Sequence, residues 1–180
     1  MLKSRERGFT LAELMVTVAI VGVLAVIGVA SFRSEIGASK TNEAAAVIQA
    51  IRAAQEAYRS ENQSYLNVSS AADSWYPKDD FTSKLSWTPN EDYSDHERWA
   101  LLGASVAQPV IFRFLVNAGG AGSTFPTPTV GITLPTSITT ARDEPWYLIQ
   151  ARADADGDEV YCDGIATSLN NEVVFKNEGE

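Results

Sequence analysis

Residues 9–32 read FTLAELMVTVAIVGVLAVIGVASF, a stretch of 24 residues with a single charge, Glu13. As an α-helix it is roughly 36 Å long at about 1.5 Å per residue, enough to cross the hydrocarbon core of a bilayer. The eight residues before it, MLKSRERG, hold three basic side chains and one acidic side chain. Basic flanks stay on the cytoplasmic side, so residues 1–8 are expected there and the bulk of the chain outside. Three plainer readings compete. A secretory signal peptide has a shorter apolar run and no carboxylate in its first turns; its best cleavage candidate would be Gly28-Val29-Ala30-Ser31. A plain membrane anchor gives no reason for Glu13. A buried core helix rarely runs 24 residues with one charge.

Glu13 is the informative residue. A carboxylate at membrane depth costs several kcal/mol unless it is paired or protonated. The apolar segment contains no basic residue, so its partner is expected from elsewhere, either another chain or a new amino terminus.

Gly8-Phe9-Thr10-Leu11-Ala12-Glu13-Leu14-Met15, followed by the apolar run, closely resembles the N-terminus of the type IV pilin and pseudopilin superfamily. The resemblance covers about the first 32 residues. It implies that a prepilin peptidase cuts after Gly8 and that Phe9 becomes N-methylated. It also implies that Glu13, the fifth mature residue, neutralises the terminal amine of a neighbouring subunit during assembly. An ion pair in low dielectric is favourable only when both charges are present, so it would select subunit register. Many members carry a proline at the twenty-second mature position, where Ala30 stands here. Gly22 and Gly28 remain as weak points of the helix, each about 1 kcal/mol worse than alanine.

Beyond Phe32 the helical pattern turns amphipathic. Ile36, Val47, Ile48, Ile51, Ala54 and Tyr58 recur at spacings of three and four. Glu35, Lys40, Glu43, Arg52, Glu56 and Arg59 lie between them and read as the watery face. Gly37-Ala38-Ser39 is a candidate kink, and Asn62-Gln63-Ser64 a candidate end. The resemblance implies an α+β pilin fold: a long N-terminal helix, half membrane-spanning and half amphipathic, packed on an antiparallel sheet. The expected division is a leader at 1–8, a helix at 9–62 with 9–32 as membrane span and filament core, a loop at 63–98, and a sheet region at 99–180.

Within residues 63–98, Tyr76-Pro77 and Thr88-Pro89 disfavour helix. Trp75, Tyr76, Trp87 and Tyr93 are read as anchors of a long loop, with a binding surface as the alternative. Asn62-Gln63-Ser64 and Asn67-Val68-Ser69 match a glycosylation sequon, a three-residue pattern common by chance. Strands are expected from near Arg98, with Val110–Val116, Trp146–Ala153, Glu159–Ala166 and Asn171–Lys176 as the β-rich runs. Gly119-Gly120-Ala121-Gly122 has no lysine and no helix after it, so residues 117–140 read as a flexible loop and not a phosphate cradle.

Asp154, Asp156 and Asp158, with Glu159, alternate across a turn and are candidate Ca²⁺ ligands. The glycine falls at the fourth position and no glutamate at the twelfth, so this is not an EF-hand, and Asp-Gly is also an ordinary hairpin turn. No other cofactor is expected. Net charge is −9, which argues against nucleic acid as a partner. With one cysteine, Cys162, no internal disulfide forms. One histidine, His96, and one cysteine cannot build a zinc cluster, and no nucleophile elbow is present, so an enzyme is not expected.

The function implied is a structural pilin, major or minor. A type II secretion pseudopilin and a DNA-uptake minor pilin share the signature. Expected partners are other pilin subunits, the prepilin peptidase, pilus assembly-platform proteins and, before assembly, the inner membrane. The expected location is a single-pass inner-membrane precursor, then an extracellular pilus or periplasmic pseudopilus.

Overall fold

The computed structural model describes residues 8–78, 80–93, 95–139 and 143–178. The elements in chain order are α1 (Leu11–Asn62), α2 (His96–Leu102), β1 (Arg113–Gly119), α3 (Thr136–Thr139), β2 (Trp146–Ala153), β3 (Cys162–Thr167) and β4 (Val173–Lys176). A long N-terminal apolar helix followed by a short helix and a four-stranded antiparallel sheet makes the fold α+β, of pilin type. The chain divides into two compact units, one up to Ile36 and one from Gly37 onward, and α1 contributes to both. Helical assignment continues through Gly37-Ala38-Ser39 without a break.

In the first unit the helix carries no charged residue from Leu14 to Phe32. The window Leu11–Val29 has a mean hydropathy of 2.5, and 0% of it is buried. By length and composition it can cross a membrane.

In the second unit the sheet order is β1-β2-β3-β4, a meander with every neighbouring pair antiparallel. Alternation along each strand separates two faces. Phe114, Val116, Ile149, Ala151, Cys162 and Ala166 pack with Ala44, Val47, Ile48 and Ile51 of α1. Full burial of side chains such as Ile48 and Ile51 stabilises by about 1.5–3 kcal/mol each. The other face carries Leu115, Leu148 and Ile165, covered by Trp75, Phe125, Val130 and Trp146. Of residues 117–140, expected to be a flexible loop, 117–119 complete β1 and 120–139 form a strap across that outer face. Gly164 sits opposite Phe175, where a Cβ would come within 2.7 Å of the ring, so the register there requires glycine.

Strand formation begins later than the sequence suggests. The region near Arg98 is α2, which buries Trp99 and Leu102 three residues apart and ends on Gly103 at φ 72. Val110 bridges Leu85 instead of joining β2, so β1 starts at Arg113 and runs on to Gly119. The outward N–H groups of β1 are capped by the preceding loop. Phe114 donates to Tyr76 O at 2.7 Å, Val116 to Ser69 Oγ at 3.0 Å and Ala118 to Asn67 Oδ1 at 3.1 Å.

The aromatic residues of 63–98 anchor that loop. Trp75, Tyr76 and Trp87 are buried, and Tyr93 is half-buried. Tyr76 stacks on Trp99 with centroids 4.6 Å apart and meets Trp87 edge-on at 5.0 Å. The Tyr76 hydroxyl donates to Trp87 O, and Trp87 Nε1 donates to Ala104 O at 2.7 Å.

Two arginines are turned inward. Arg52, expected on the watery face of α1, is 7% exposed. It donates to Glu172 O at 2.9 Å, Asn171 O at 3.1 Å, Asn170 O at 3.3 Å and Thr167 O at 3.5 Å, holding the β3–β4 connection against the helix. Beside it Gln55, fully buried, exchanges two bonds with the backbone of Leu66. Arg113 is 0% exposed and donates to the carbonyls of Ser83, Val110, Ile111 and Phe112. Burial lowers the pKa of Arg113, while the charge of Asp80 works in the opposite direction.

Candidate assembly site

Gly8 and Phe9 precede α1 in non-helical backbone, both exposed, Phe9 at 85%. The rest of the basic leader lies outside the described residues. Thr10 and Glu13 form a reciprocal cap at the start of α1. Glu13 N donates to Thr10 Oγ1 at 3.2 Å. In return Thr10 N and Thr10 Oγ1 donate to Glu13 Oε2 at 2.9 and 2.8 Å. This Thr-x-x-Glu capping box satisfies backbone groups that the first helical turn leaves open, and the negative charge sits at the positive end of the helix dipole.

Besides the charge partner expected from another chain or a new amino terminus, Glu13 has a neutral hydrogen-bond partner within its own turn. Its first partner is Thr10, three residues away, because a helix start leaves N–H groups for a carboxylate to accept. The pattern is legible in the sequence as Thr10-Leu11-Ala12-Glu13. The bonds from Thr10 both fall on Oε2, and Oε1 makes none among the described residues. Thr17, the other polar side chain of this turn, is satisfied locally by donating to Glu13 O and Leu14 O at 3.0 and 2.9 Å.

The second candidate site lies between β2 and β3. Carboxylate oxygens of Asp154, Asp156 and Asp158 all lie within 4.8 Å of one another, and Glu159 is not part of the group. Asp154 is buried, and its two oxygens accept from Gly157 N at 2.8 Å and Glu159 N at 3.1 Å. Asp158 Oδ1 accepts from Val160 N at 2.8 Å. The loop holds its shape through these bonds and the positive φ of Gly157 (80) and Glu159 (68). The donors are hard oxygens of the type Ca²⁺ takes, but three carboxylates fill half or less of the six to eight positions such an ion requires.

Of the two sequons, the second is committed elsewhere: Asn67 Oδ1 caps Ala118, and Ser69 is buried against Val116. Cys162 is buried under α1. That burial pushes its thiol up to about 11, while a hydrogen bond with Thr41 acts to lower it.

The described start of the chain is thus an exposed apolar helix with the length and composition of a membrane-crossing segment, a capped acid in its first turn and an accessible Gly-Phe junction before it. Comparison with known proteins agrees. Residues 3–29 match the family described as prokaryotic N-terminal methylation motif. Over 61 residues the chain is 44% identical to the type IV major pilin protein PilA of Myxococcus xanthus. That match covers 34% of this chain and 28% of the relative, so it is confined to well under two thirds of either protein. No solved structure matches the chain. The N-terminal stretch of this chain is thus similar to that of type IV pilins.

Proposed function

We propose that this chain is a subunit of a type IV pilus, major or minor, cut after Gly8 by a prepilin peptidase and N-methylated at Phe9. The observation that carries the reading is Glu13 with one oxygen bound by Thr10 and the other unbound among the described residues. Cleavage exposes an amine at Phe9. The unbound oxygen is an acceptor for the amine of an adjacent subunit, without loss of the helix cap. The fully exposed apolar window of α1 needs a bilayer before assembly and a core of like helices after it. Partial identity to a major pilin favours a pilus over a secretion pseudopilus. The pseudopilin alternative leans on the aspartate loop, whose own hydrogen bonds account for its shape without an ion. A DNA-uptake subunit is disfavoured by the net charge of −9.

The test uses Glu13→Gln. Glutamine keeps an acceptor for the capping box and removes the charge. The expected result is a stable, membrane-inserted precursor with sheared surface fibres reduced at least about 10-fold, the factor that about 1.4 kcal/mol of lost pairing gives. Wild-type fibre yield from Glu13→Gln, or a mature chain whose N-terminus is not Phe9, refutes the reading.

A further inference from the structure

The longest uncharged run in the chain is residues 114–141, 28 residues without Asp, Glu, Lys or Arg in a protein that is 21% charged. Residues 114–119 of it lie in β1, and 120–139 form the strap over the outer face of the sheet. Phe125 and Val130 are buried there, and Ile132, Leu134 and Ile138 pack beside them. Gln150 Oε1 holds the strap by accepting from Thr129 N at 2.7 Å and Val130 N at 3.3 Å, and Asp163 Oδ2 by accepting from Gly131 N at 2.7 Å.

With the apolar side chains turned to the sheet, the threonines between them are left on the surface. Thr124, Thr127 and Thr133 are exposed. The hydroxyls of Ser123 and Thr129 are engaged, with Trp146 Nε1 at 2.9 Å and Gln150 Oε1 at 3.1 Å. Those of Thr124, Thr127 and Thr133 make no hydrogen bond among the described residues. Thr127 stands between Pro126 and Pro128, which have no N–H and hold the backbone extended, clear of any ladder. Threonine among prolines, exposed and uncharged, is the substrate pattern of O-linked glycosylation. The acidic remainder of the surface is kept in water by its charges, and this segment has none.

We propose that Thr127 is an O-glycosylation site, with Thr124 and Thr133 as flanking acceptors on the same strap. The Thr127 Oγ attacks the anomeric carbon of a sugar carried on a pyrophosphate leaving group. The sugar–phosphate bond breaks as the glycosidic bond forms, and the hydroxyl proton passes to the base of the transferase. The proposal is independent of which filament the chain builds.

Trypsin leaves the strap in one peptide, because no Lys or Arg lies between Arg113 and Arg142. The experiment compares the mass of peptide 114–142 from the full chain purified from its natural host with that from the same chain made in a cell-free system. The expected result is that most of the natural peptide is heavier by one or more sugar residues, and that alkaline β-elimination removes the increment. Thr127→Val, whose side chain is nearly isosteric and exposed, is expected to carry at least one sugar fewer while melting at the wild-type temperature. An unmodified natural peptide, an increment that is not a sugar mass, or an unchanged increment in Thr127→Val overturns the assignment.

Discussion

Replacing Arg52 with methionine removes the guanidinium and keeps most of the aliphatic stem. Two of its bonds to backbone carbonyls are well formed, to Glu172 O at 2.9 Å and Asn171 O at 3.1 Å; the other two are longer. A hydrogen bond from a charged donor contributes about 1.5–3 kcal/mol. Against this, the variant no longer desolvates a cation, and the carbonyls lie in a connection whose residues Asn170, Asn171 and Glu172 reach water. The net loss is therefore set at about 2–3 kcal/mol. For a unit of this size a kilocalorie moves the melting temperature by roughly 3–4 °C, so the expected drop is about 6–12 °C. Circular dichroism melts of the full chain in detergent micelles measure it. Hydrogen exchange localises it: the amides of β4 should lose protection before those of β1 and β2. Arg52→Lys places one compact ammonium where two nitrogens donated, and should recover only part of the loss. A melt within about 2 °C of wild type, with unchanged exchange in β4, would show that the carbonyl cage does not hold the hairpin.

Asp80 accepts hydrogen bonds from the Ser83 hydroxyl and from Thr82 N, which hold its carboxyl down at about 2. The ordinary aspartate value is about 3.9, so the stabilisation is complete above that value and fades as pH falls toward the folded one. The melting gap between wild type and Asp80→Ala should be constant above pH about 5 and close by pH about 2, and a gap that persists in acid contradicts the linkage. Cys162, with its thiol raised to about 11, should resist a disulfide reagent at pH 8 in the native protein and react within minutes once denaturant opens the core. Asp154→Ala strips the acceptors from Gly157 N and Glu159 N and should lower stability by about 1–2 kcal/mol. Isothermal calorimetry of the wild-type chain with millimolar Ca²⁺ tests the ion separately, and an absence of heat removes calcium from consideration.

The N-terminal unit was legible because its message is compositional. One carboxylate in an otherwise apolar run stands out without any tertiary knowledge. The Thr10–Glu13 box was equally local, yet treating Glu13 as a bare charge hid its role as a cap. Arg52 and Arg113 were not legible. An arginine between apolar helix positions ordinarily faces water, and the carbonyls that hold Arg52 lie more than 100 residues away in sequence. The seven residues of α2 are too few for periodicity to separate helix from strand. The strap looked flexible because its glycines and prolines dominate the local signal. Its alternation of buried and exposed residues needs the sheet beneath it to show.

The capped margin of β1 bears on how heads behave when crowded. Strands with bare edges recruit one another, and a fibre packs many copies of one sequence at high local density. Here the three outward amides of β1 are already occupied by the chain's own loop, and β4 on the opposite margin is four residues long and ends in Lys176. In the filament proposed above, neighbouring sheet units would have little backbone to zip together. Their bundling is left to side chains, which salt and sequence drift can strengthen or weaken without risking an irreversible cross-β tangle.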